Sequence, residues 1–224
     1  TGWWAENLVV VAIRGTATGA DWRTNLSAGR SRTLADGEIH SGYARDASSA
    51  LDLIIPLLAR VRLDLDVVFT GHSLGGAVAG VMHTLWEKRL DNWQSLFNAV
   101  ENPPKSLTPY VFGAPRYGTA SVLAEYPVFA YQMAGDVVPT LPPLPGYVET
   151  GPAVALTPAP PRPNVTSIVP WLASKVPVTG PHDIEIYRMM LGRYFAPAFP
   201  LGVYRGLVKN ASSLIEDRLY TYSN

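Results

Sequence analysis

A five-residue pattern constrains the fold of this chain more than any other feature. Gly71-His72-Ser73-Leu74-Gly75 fits G-x-S-x-G, and the apolar or β-prone residues Val67 to Thr70 precede it as a short buried strand. The small residues from Gly75 to Gly80 predict a helix that packs closely on the sheet. In such a strand–turn–helix the apex residue has a strained backbone and needs small neighbours. The pattern predicts a nucleophile elbow with the Ser73 hydroxyl exposed at its apex.

Further strand-like segments alternate with helical periodicity. Leu8 to Ile13 is a continuous apolar run, typical of a strand that is covered on both faces. Leu107 to Phe112 and Val128 to Met133 are two more strand-like runs, and apolar residues recur at helical spacing from Tyr43 to Arg62. This alternation predicts an α/β fold, with a mostly parallel central sheet flanked by helices.

The composition is that of a globular protein with no strong charge. The 224 residues are 47% hydrophobic and 16% charged, with a formal net charge of zero. This balance gives no electrostatic reason to expect a nucleic-acid partner. No apolar run is long enough for a transmembrane segment, and the absence of cysteine excludes disulfides and thiolate catalysis. We expect one domain over residues 1–224, with a proline-rich segment at about 139–181 as a cover over the site.

Polar or glycine-rich segments follow each predicted strand. Thr16 follows the first strand, Ser73 the second, Gly113 to Arg116 the third and Asp136 the fourth. The carboxyl ends of parallel strands meet at one edge of a sheet, where such folds bind their ligands. We therefore expect these four segments to converge.

A serine hydroxyl needs a base within hydrogen-bond reach before it attacks at neutral pH, and histidine has a suitable pKa. Four histidines are available. His72 adjoins Ser73 in the turn, so its side chain is expected to point elsewhere, and His83 falls among core-facing positions of the next helix. His40 comes before a helix and is interpreted as structural. His182 follows the last strand-like element in a loop that can reach the sheet edge, so it is the favoured base.

The base needs a carboxylate that holds one imidazole tautomer. Asp136 ends a strand and is favoured over Asp183, because a residue adjacent to His182 rarely faces it with the required geometry. The competing interpretation is that Asp136 only caps the turn before Val137. The order Ser73, Asp136, His182 is the order of α/β-hydrolase triads.

Several motifs, in order from Leu8 to Leu191, together resemble one family. They are Arg14-Gly15-Thr16 with Asp21-Trp22 and Asn25-Leu26, His40-Ser41-Gly42-Tyr43, Gly71-His72-Ser73-Leu74-Gly75-Gly76, Phe112-Gly113-Ala114-Pro115-Arg116-Tyr117-Gly118, Gly135-Asp136-Val137-Val138-Pro139, and His182 with Tyr187. The chain resembles the class 3 lipases, which are fungal-lipase-like α/β-hydrolases.

The resemblance implies serine-dependent hydrolysis of acylglycerol-type carboxylic esters through an acyl-enzyme, by a triacylglycerol lipase or carboxylesterase. Ser73 would be the nucleophile, His182 the base and Asp136 its orienting acid. The oxyanion-hole donors map onto Thr16 and Leu74. This chemistry needs neither a metal nor an organic cofactor, and the resemblance implies secretion rather than a cytoplasmic location.

The resemblance also locates the substrate-contacting segments. The family's lid follows the oxyanion residue, and here Ala17 to Arg32 has only Trp22 and Leu26 as large apolar residues, which predicts weak interfacial activation and transient contact with a lipid interface. Trp22 is a candidate substrate contact, although packing competes with that interpretation. Three apolar residues of the proline-rich segment are expected to line the acyl site: Ile168, Trp171 and Leu172.

Two alternatives stay open at this point. A feruloyl-type esterase or an acyltransferase would use the same triad, because acyl and acceptor specificity depend on loops. A lipase-like domain that binds a ligand without turnover is the other alternative, since a fold does not determine a function.

Overall fold

The computed structural model describes residues 2–5, 7–15, 31–60, 65–93, 104–151, 153–156 and 182–195. Within it the chain divides into two compact units, Thr1–Asp183 and Ile184–Asn224. The expectation of one domain over residues 1–224 stays a prediction. Most of the proline-rich segment, residues 157–181, lies outside the described residues, so its role as a cover also stays a prediction.

The described strands, in chain order, are β1 (Gly2–Ala5), β2 (Leu8–Ile13), β3 (Ser31–Leu34), β4 (Gly37–His40), β5 (Asp66–His72), β6 (Lys105–Phe112), β7 (Phe129–Met133) and β8 (Ala153–Leu156). Six of them form one sheet in the order β1-β2-β5-β6-β7-β8. β1 pairs antiparallel with β2, and every other neighbouring pair in this sheet is parallel. The predicted mostly parallel sheet is confirmed.

The described helices are α1 (Ser41–Leu58), α2 (Leu74–Trp93), α3 (Ala120–Glu125) and, in the second unit, α4 (Ile184–Phe195). α1 buries one face at intervals of three or four residues, as its sequence predicts. Leu57 is apolar but 59% exposed, because the buried stripe passes through Ile55 and Leu58. Pro56 lies in the last turn of the helix, two residues before its end.

α2 is the central helix of the first unit. Every residue from Gly75 to Trp86 is buried, because α2 packs on β5, β6 and α1 at once. Phe69 of β5 contacts Trp86 with ring centroids 5.8 Å apart, and both side chains are fully buried. Burying an aromatic side chain of this size stabilises the fold by roughly 2–3 kcal/mol. The predicted helix after Ser73 is therefore confirmed, and it runs from Leu74 to Trp93.

A small antiparallel hairpin, β3–β4, supports the start of α1 and was not predicted. Its turn uses Gly37 at φ 140°, where an L side chain would be strained. The hairpin is tied to the segment after β6, since the Thr119 N–H donates to the Glu38 carbonyl at 3.0 Å and the His40 N–H donates to the Tyr117 carbonyl at 2.9 Å. This links α1 to the edge of the sheet where the candidate site lies.

Candidate active site

Ser73 lies at a strained turn between β5 and α2. Its φ is 57°, and among the described residues Ser73 is the one non-glycine residue with a positive φ. The Ser73 N–H donates to the Phe112 carbonyl at 2.9 Å, and the Ser73 carbonyl accepts from the Gly76 N–H at 2.9 Å. The parallel sheet and the first turn of α2 therefore hold the strained backbone in place from both sides.

The glycines around Ser73 are required by close backbone contacts. A Cβ at Gly71 would collide with the backbone of Gly75, and a Cβ at Gly75 would collide with the Ile13 carbonyl. Gly15, just past the end of β2, has the same constraint, because its Cβ would lie 2.7 Å from the His72 carbonyl oxygen. The elbow can form only where all these positions lack a side chain, as the sequence pattern predicts.

Ser73, His182 and Asp136 form a continuous chain of hydrogen bonds. His182 Nε2 lies 2.8 Å from Ser73 Oγ, and His182 Nδ1 lies 2.8 Å from Asp136 Oδ2. Because a carboxylate only accepts hydrogen bonds, Nδ1 carries the proton and Nε2 is free to accept the serine proton. The structure thus brings together the three residues that the sequence analysis selected, in the order that proton transfer requires.

Asp136 has both of the roles that the sequence left open. Its Oδ1 accepts the Val138 N–H at 2.9 Å, which caps the turn, while its Oδ2 faces His182. The Asp136 side chain is fully buried, so the carboxylate is shielded from water at the position where it holds the imidazole. The His182 Nδ1–H therefore donates to Asp136 rather than to the adjacent Asp183.

The expectation that His72 points away from the site is wrong. Its ring packs on the His182 ring, with centroids 4.7 Å apart and an interplanar angle of 30°. Burial is the main cause that lowers the His72 pKa to about 4, followed by the charge of His182; a hydrogen bond with the His182 backbone opposes the shift, as do the carboxylates of Asp136 and Asp183. His72 is therefore a neutral imidazole at neutral pH, in contact with the candidate base.

The other two histidines lie in the core, as predicted. His83 Nδ1 is 2.7 Å from Ser106 Oγ, and burial lowers the His83 pKa to about 4. His40 is fully buried against Tyr43, with ring centroids 4.4 Å apart, and burial lowers its pKa as well. Neither ring has a contact with Ser73, Asp136 or His182 among the interactions of the described residues.

The candidate oxyanion donors are described only in part. Leu74 is the first residue of α2, so its N–H has no acceptor within the helix and lies beside Ser73 at the positive end of the helix dipole. Five other predicted site residues lie outside the described residues, and their roles stay predictions: Thr16, Trp22, Ile168, Trp171 and Leu172.

Two further properties concern the described residues only. They contain no group of three or more His, Asp or Glu side chains arranged to hold a metal ion. Among the described helices, none combines the length and apolar character that crossing a membrane requires.

Comparison with protein families gives a match to the sequence model described as "Lipase (class 3)", over residues 10–146. The chain is 29% identical over 162 residues to a secreted mono- and diacylglycerol lipase of Fusarium solani. The alignment covers 66% of this chain and 44% of the relative. It is also 29% identical over 127 residues to a phospholipase A1-II of Oryza sativa subsp. indica. That alignment covers 54% of this chain and 29% of the relative. The chain thus spans less than half the length of these curated relatives.

Among solved structures, the lipase from Rhizopus microsporus var. chinensis aligns with a TM-score of 0.52 and 23% sequence identity. The alignment covers 68% of this chain and 53% of the lipase. A likeness at this level of identity concerns the fold, and it shows that the sheet and helices described above form an α/β-hydrolase fold.

Proposed function

Because the chain belongs to the class 3 lipase family, we propose that it hydrolyses carboxylic esters of the acylglycerol type through an acyl-enzyme on Ser73. The observation that carries this proposal is the pair of 2.8 Å hydrogen bonds joining Ser73 to His182 and His182 to Asp136. A nucleophile, a base and an orienting acid within hydrogen-bond reach of one another are what acyl transfer by serine requires.

In the proposed acylation step, Ser73 Oγ attacks the ester carbonyl carbon while its proton moves to His182 Nε2. Asp136 stabilises the imidazolium that forms, through the bond from Nδ1–H. The carbonyl oxygen becomes an oxyanion that the backbone N–H of Leu74 and a donor from Thr16 stabilise, each by about 3 kcal/mol in the transition state.

His182 then gives its proton to the departing alkoxide oxygen, and the alcohol leaves an acyl group on Ser73. In deacylation, water loses a proton to His182 Nε2 as it attacks the acyl carbonyl; the bond from the acyl carbon to Ser73 Oγ then breaks, Oγ takes the proton from His182, and the carboxylic acid leaves. The same two hydrogen bonds serve both steps, because His182 alternates between base and acid.

The names of the curated relatives support glycerolipid esters as the substrate class. One is named as a mono- and diacylglycerol lipase and the other as a phospholipase A1, so hydrolysis of glycerol-linked acyl chains is what we propose for this chain. The first is also named as secreted, which supports secretion here. Trp22, Ile168, Trp171 and Leu172 remain the proposed acyl contacts, and Trp171→Ala should then change the acyl chain-length preference.

The test compares the purified protein with Ser73→Ala on p-nitrophenyl esters from acetate to palmitate, and on mono-, di- and triacylglycerols and phosphatidylcholine. Ser121→Ala is the matched control, because Ser121 is exposed on α3 and its hydrogen bond within the described residues is the local one to Thr119. We expect the Ser73 variant to lose on the order of 10⁴-fold or more in kcat, and the Ser121 variant to keep the original rate.

The lipid panel then identifies the substrate class by its relative kcat/KM values. Equal activity of Ser73→Ala and the original protein would contradict the mechanism. Turnover of none of these esters by folded protein would instead favour the non-catalytic binding domain.

A further inference from the structure

His72 has contacts that the proposed mechanism does not use. Its ring packs against the His182 ring in a tilted arrangement, with centroids 4.7 Å apart and an angle of 30° between the planes, and it has a hydrogen bond with the His182 backbone. Among the described residues, His182 is thus held by Ser73, by Asp136 and by His72. Two of these contacts hold the nitrogens of the imidazole, and the third packs a second ring against it.

The ring contact restricts a motion that the other two allow. An imidazole held only by hydrogen bonds at Nδ1 and Nε2 can still shift out of its own plane, because hydrogen bonds tolerate some bending, and such a shift moves the Nε2 lone pair off the line to Ser73 Oγ. A ring packed against the imidazole opposes this shift, and a hydrogen bond to the backbone of the same residue opposes displacement of its chain segment.

His72 is itself held firmly by the sheet. It is the last residue of β5, pairs in register with Phe112 of β6, and lies with its carbonyl against Gly15 at the end of β2. Ser73 follows it directly. The nucleophile and the support of its base therefore belong to one rigid dipeptide, although Ser73 and His182 are 109 residues apart in sequence.

The ring must remain neutral for this contact to help. His182 becomes an imidazolium in each half-reaction, and a second positive charge stacked on it would disfavour that state. Burial keeps His72 in its neutral form at neutral pH, with a pKa of about 4, although the carboxylates of Asp136 and Asp183 act in the opposite direction. The site thus gains a polar aromatic support without a competing charge.

We propose that His72 is a positioning residue, which holds the His182 imidazole in line with Ser73 Oγ through ring packing and a hydrogen bond to the His182 backbone. The proposal rests on the function proposed above, because it concerns the base of that reaction. His72 touches no reacting atom in this account and acts only through His182.

Two replacements separate the two contacts. His72→Phe keeps an aromatic face against His182 but loses the hydrogen bond, and His72→Gln keeps a hydrogen-bonding group but loses the ring. His83→Gln is the matched control, since His83 is equally a buried histidine with a pKa of about 4, but it bonds to Ser106. Circular dichroism and the thermal unfolding midpoint show which variants are folded.

The variants are compared by kcat and KM on a soluble p-nitrophenyl ester, and by the low-field proton resonance of the His182 Nδ1–H bond to Asp136. We expect at least one His72 variant to lower kcat by 10- to 100-fold with KM changed less than about twofold, because misaligned groups lose orientation rather than binding. The same variant should shift or broaden the resonance, and His83→Gln should change neither.

The proposal is overturned if both folded His72 variants keep the original kcat and resonance, or if His83→Gln loses as much kcat as they do. The resonance also separates this outcome from failure of the proposed function. If the original protein hydrolyses no ester, the hydrolase proposal fails, while the resonance still reports whether His72 holds the imidazole.

Discussion

Two regions, the elbow before α2 and the core of α2 itself, hold histidines that resemble each other by burial and pKa but differ in what they contact. At the elbow, residues 71–75, His72 packs on the candidate base; in the helix core, His83 bonds to Ser106 and meets the edge of Tyr126 with ring centroids 6.5 Å apart. Burial lowers both pKa values to about 4. A perturbed pKa therefore does not distinguish a site from a core, and the neighbours of the ring do.

The backbones of the two regions differ in the same way. The elbow combines a positive φ at Ser73 with glycines that let backbone segments touch, whereas the helix core around His83 is regular and filled with apolar side chains. Strain of this kind persists only where the surrounding structure enforces it. We therefore expect changes at the elbow to affect kcat, and changes in the helix core to affect stability.

The largest expected effect comes from Asp136→Asn, at the end of the hydrogen-bond chain. An amide in place of the carboxylate no longer selects the required His182 tautomer, and we expect kcat to fall on the order of 10⁴-fold. Asp183→Asn is the control, since it changes the adjacent carboxylate without touching the bond to Nδ1. Steady-state kinetics on a soluble ester measures both. Comparable losses in the two variants would mean that the site responds to nearby charge rather than to this bond.

Acidification should destabilise the folded protein through a histidine in each of the two regions. The folded pKa of about 4 at His72 and at His83 lies below the unfolded value near 6.5, so the unfolded chain binds more protons and stability is lost as pH falls from 6.5 towards 4. The contribution of each histidine to the free energy of unfolding should be about 2 kcal/mol smaller at pH 5 than at pH 7.5. Urea unfolding at the two pH values measures this loss.

His83→Gln sharpens that comparison, because it removes one of the titrating groups without touching the elbow. The difference in unfolding free energy between pH 7.5 and pH 5 should shrink by about 2 kcal/mol in this variant. An unchanged difference would show that His83 is not protonated on unfolding in this range.

The smallest expected effect is that of Ser106→Ala. This variant leaves His83 Nδ1 buried without its partner at 2.7 Å, which should lower the free energy of unfolding by about 1–2 kcal/mol. We expect kcat to stay unchanged, because the bond lies in the helix core and not at the elbow. Denaturant unfolding measures the expected loss of stability, and ester hydrolysis on the same preparation measures the expected constancy of kcat. A loss of kcat at constant stability would contradict the separation of the two regions into one that affects catalysis and one that affects stability.

The parts of the fold that were predicted from sequence have strong local signals. β2 is a continuous apolar run, and its bounds, Leu8–Ile13, agree with those expected, although Val9 is buried and Ala12 is exposed. The elbow is equally local, because each of its glycines is required by a contact with a neighbouring backbone. Strand topology then predicted that Ser73 and Asp136 lie at one sheet edge, and His182 was selected because its loop can reach that edge.

What was missed depends on contacts between distant segments. Ser31 to Leu34 is polar at three of four positions, so β3 has no apolar alternation, although Asp36-Gly37 is a hairpin-type turn signal that could have been used. α3 has six residues, too few for helical periodicity to appear. The contact of His72 with His182 could not be read from sequence, because only the folded sheet brings these rings together.

The most direct test of the central claim is to trap the acyl-enzyme. Rapid mixing of the protein with p-nitrophenyl butyrate, acid quenching and peptide mass spectrometry measure whether a butyryl group is attached and to which residue. The account predicts a butyryl ester on Ser73, formed with a burst of nitrophenol, and no adduct in Ser73→Ala. Hydrolysis without any adduct, or an adduct on a different residue, would contradict it.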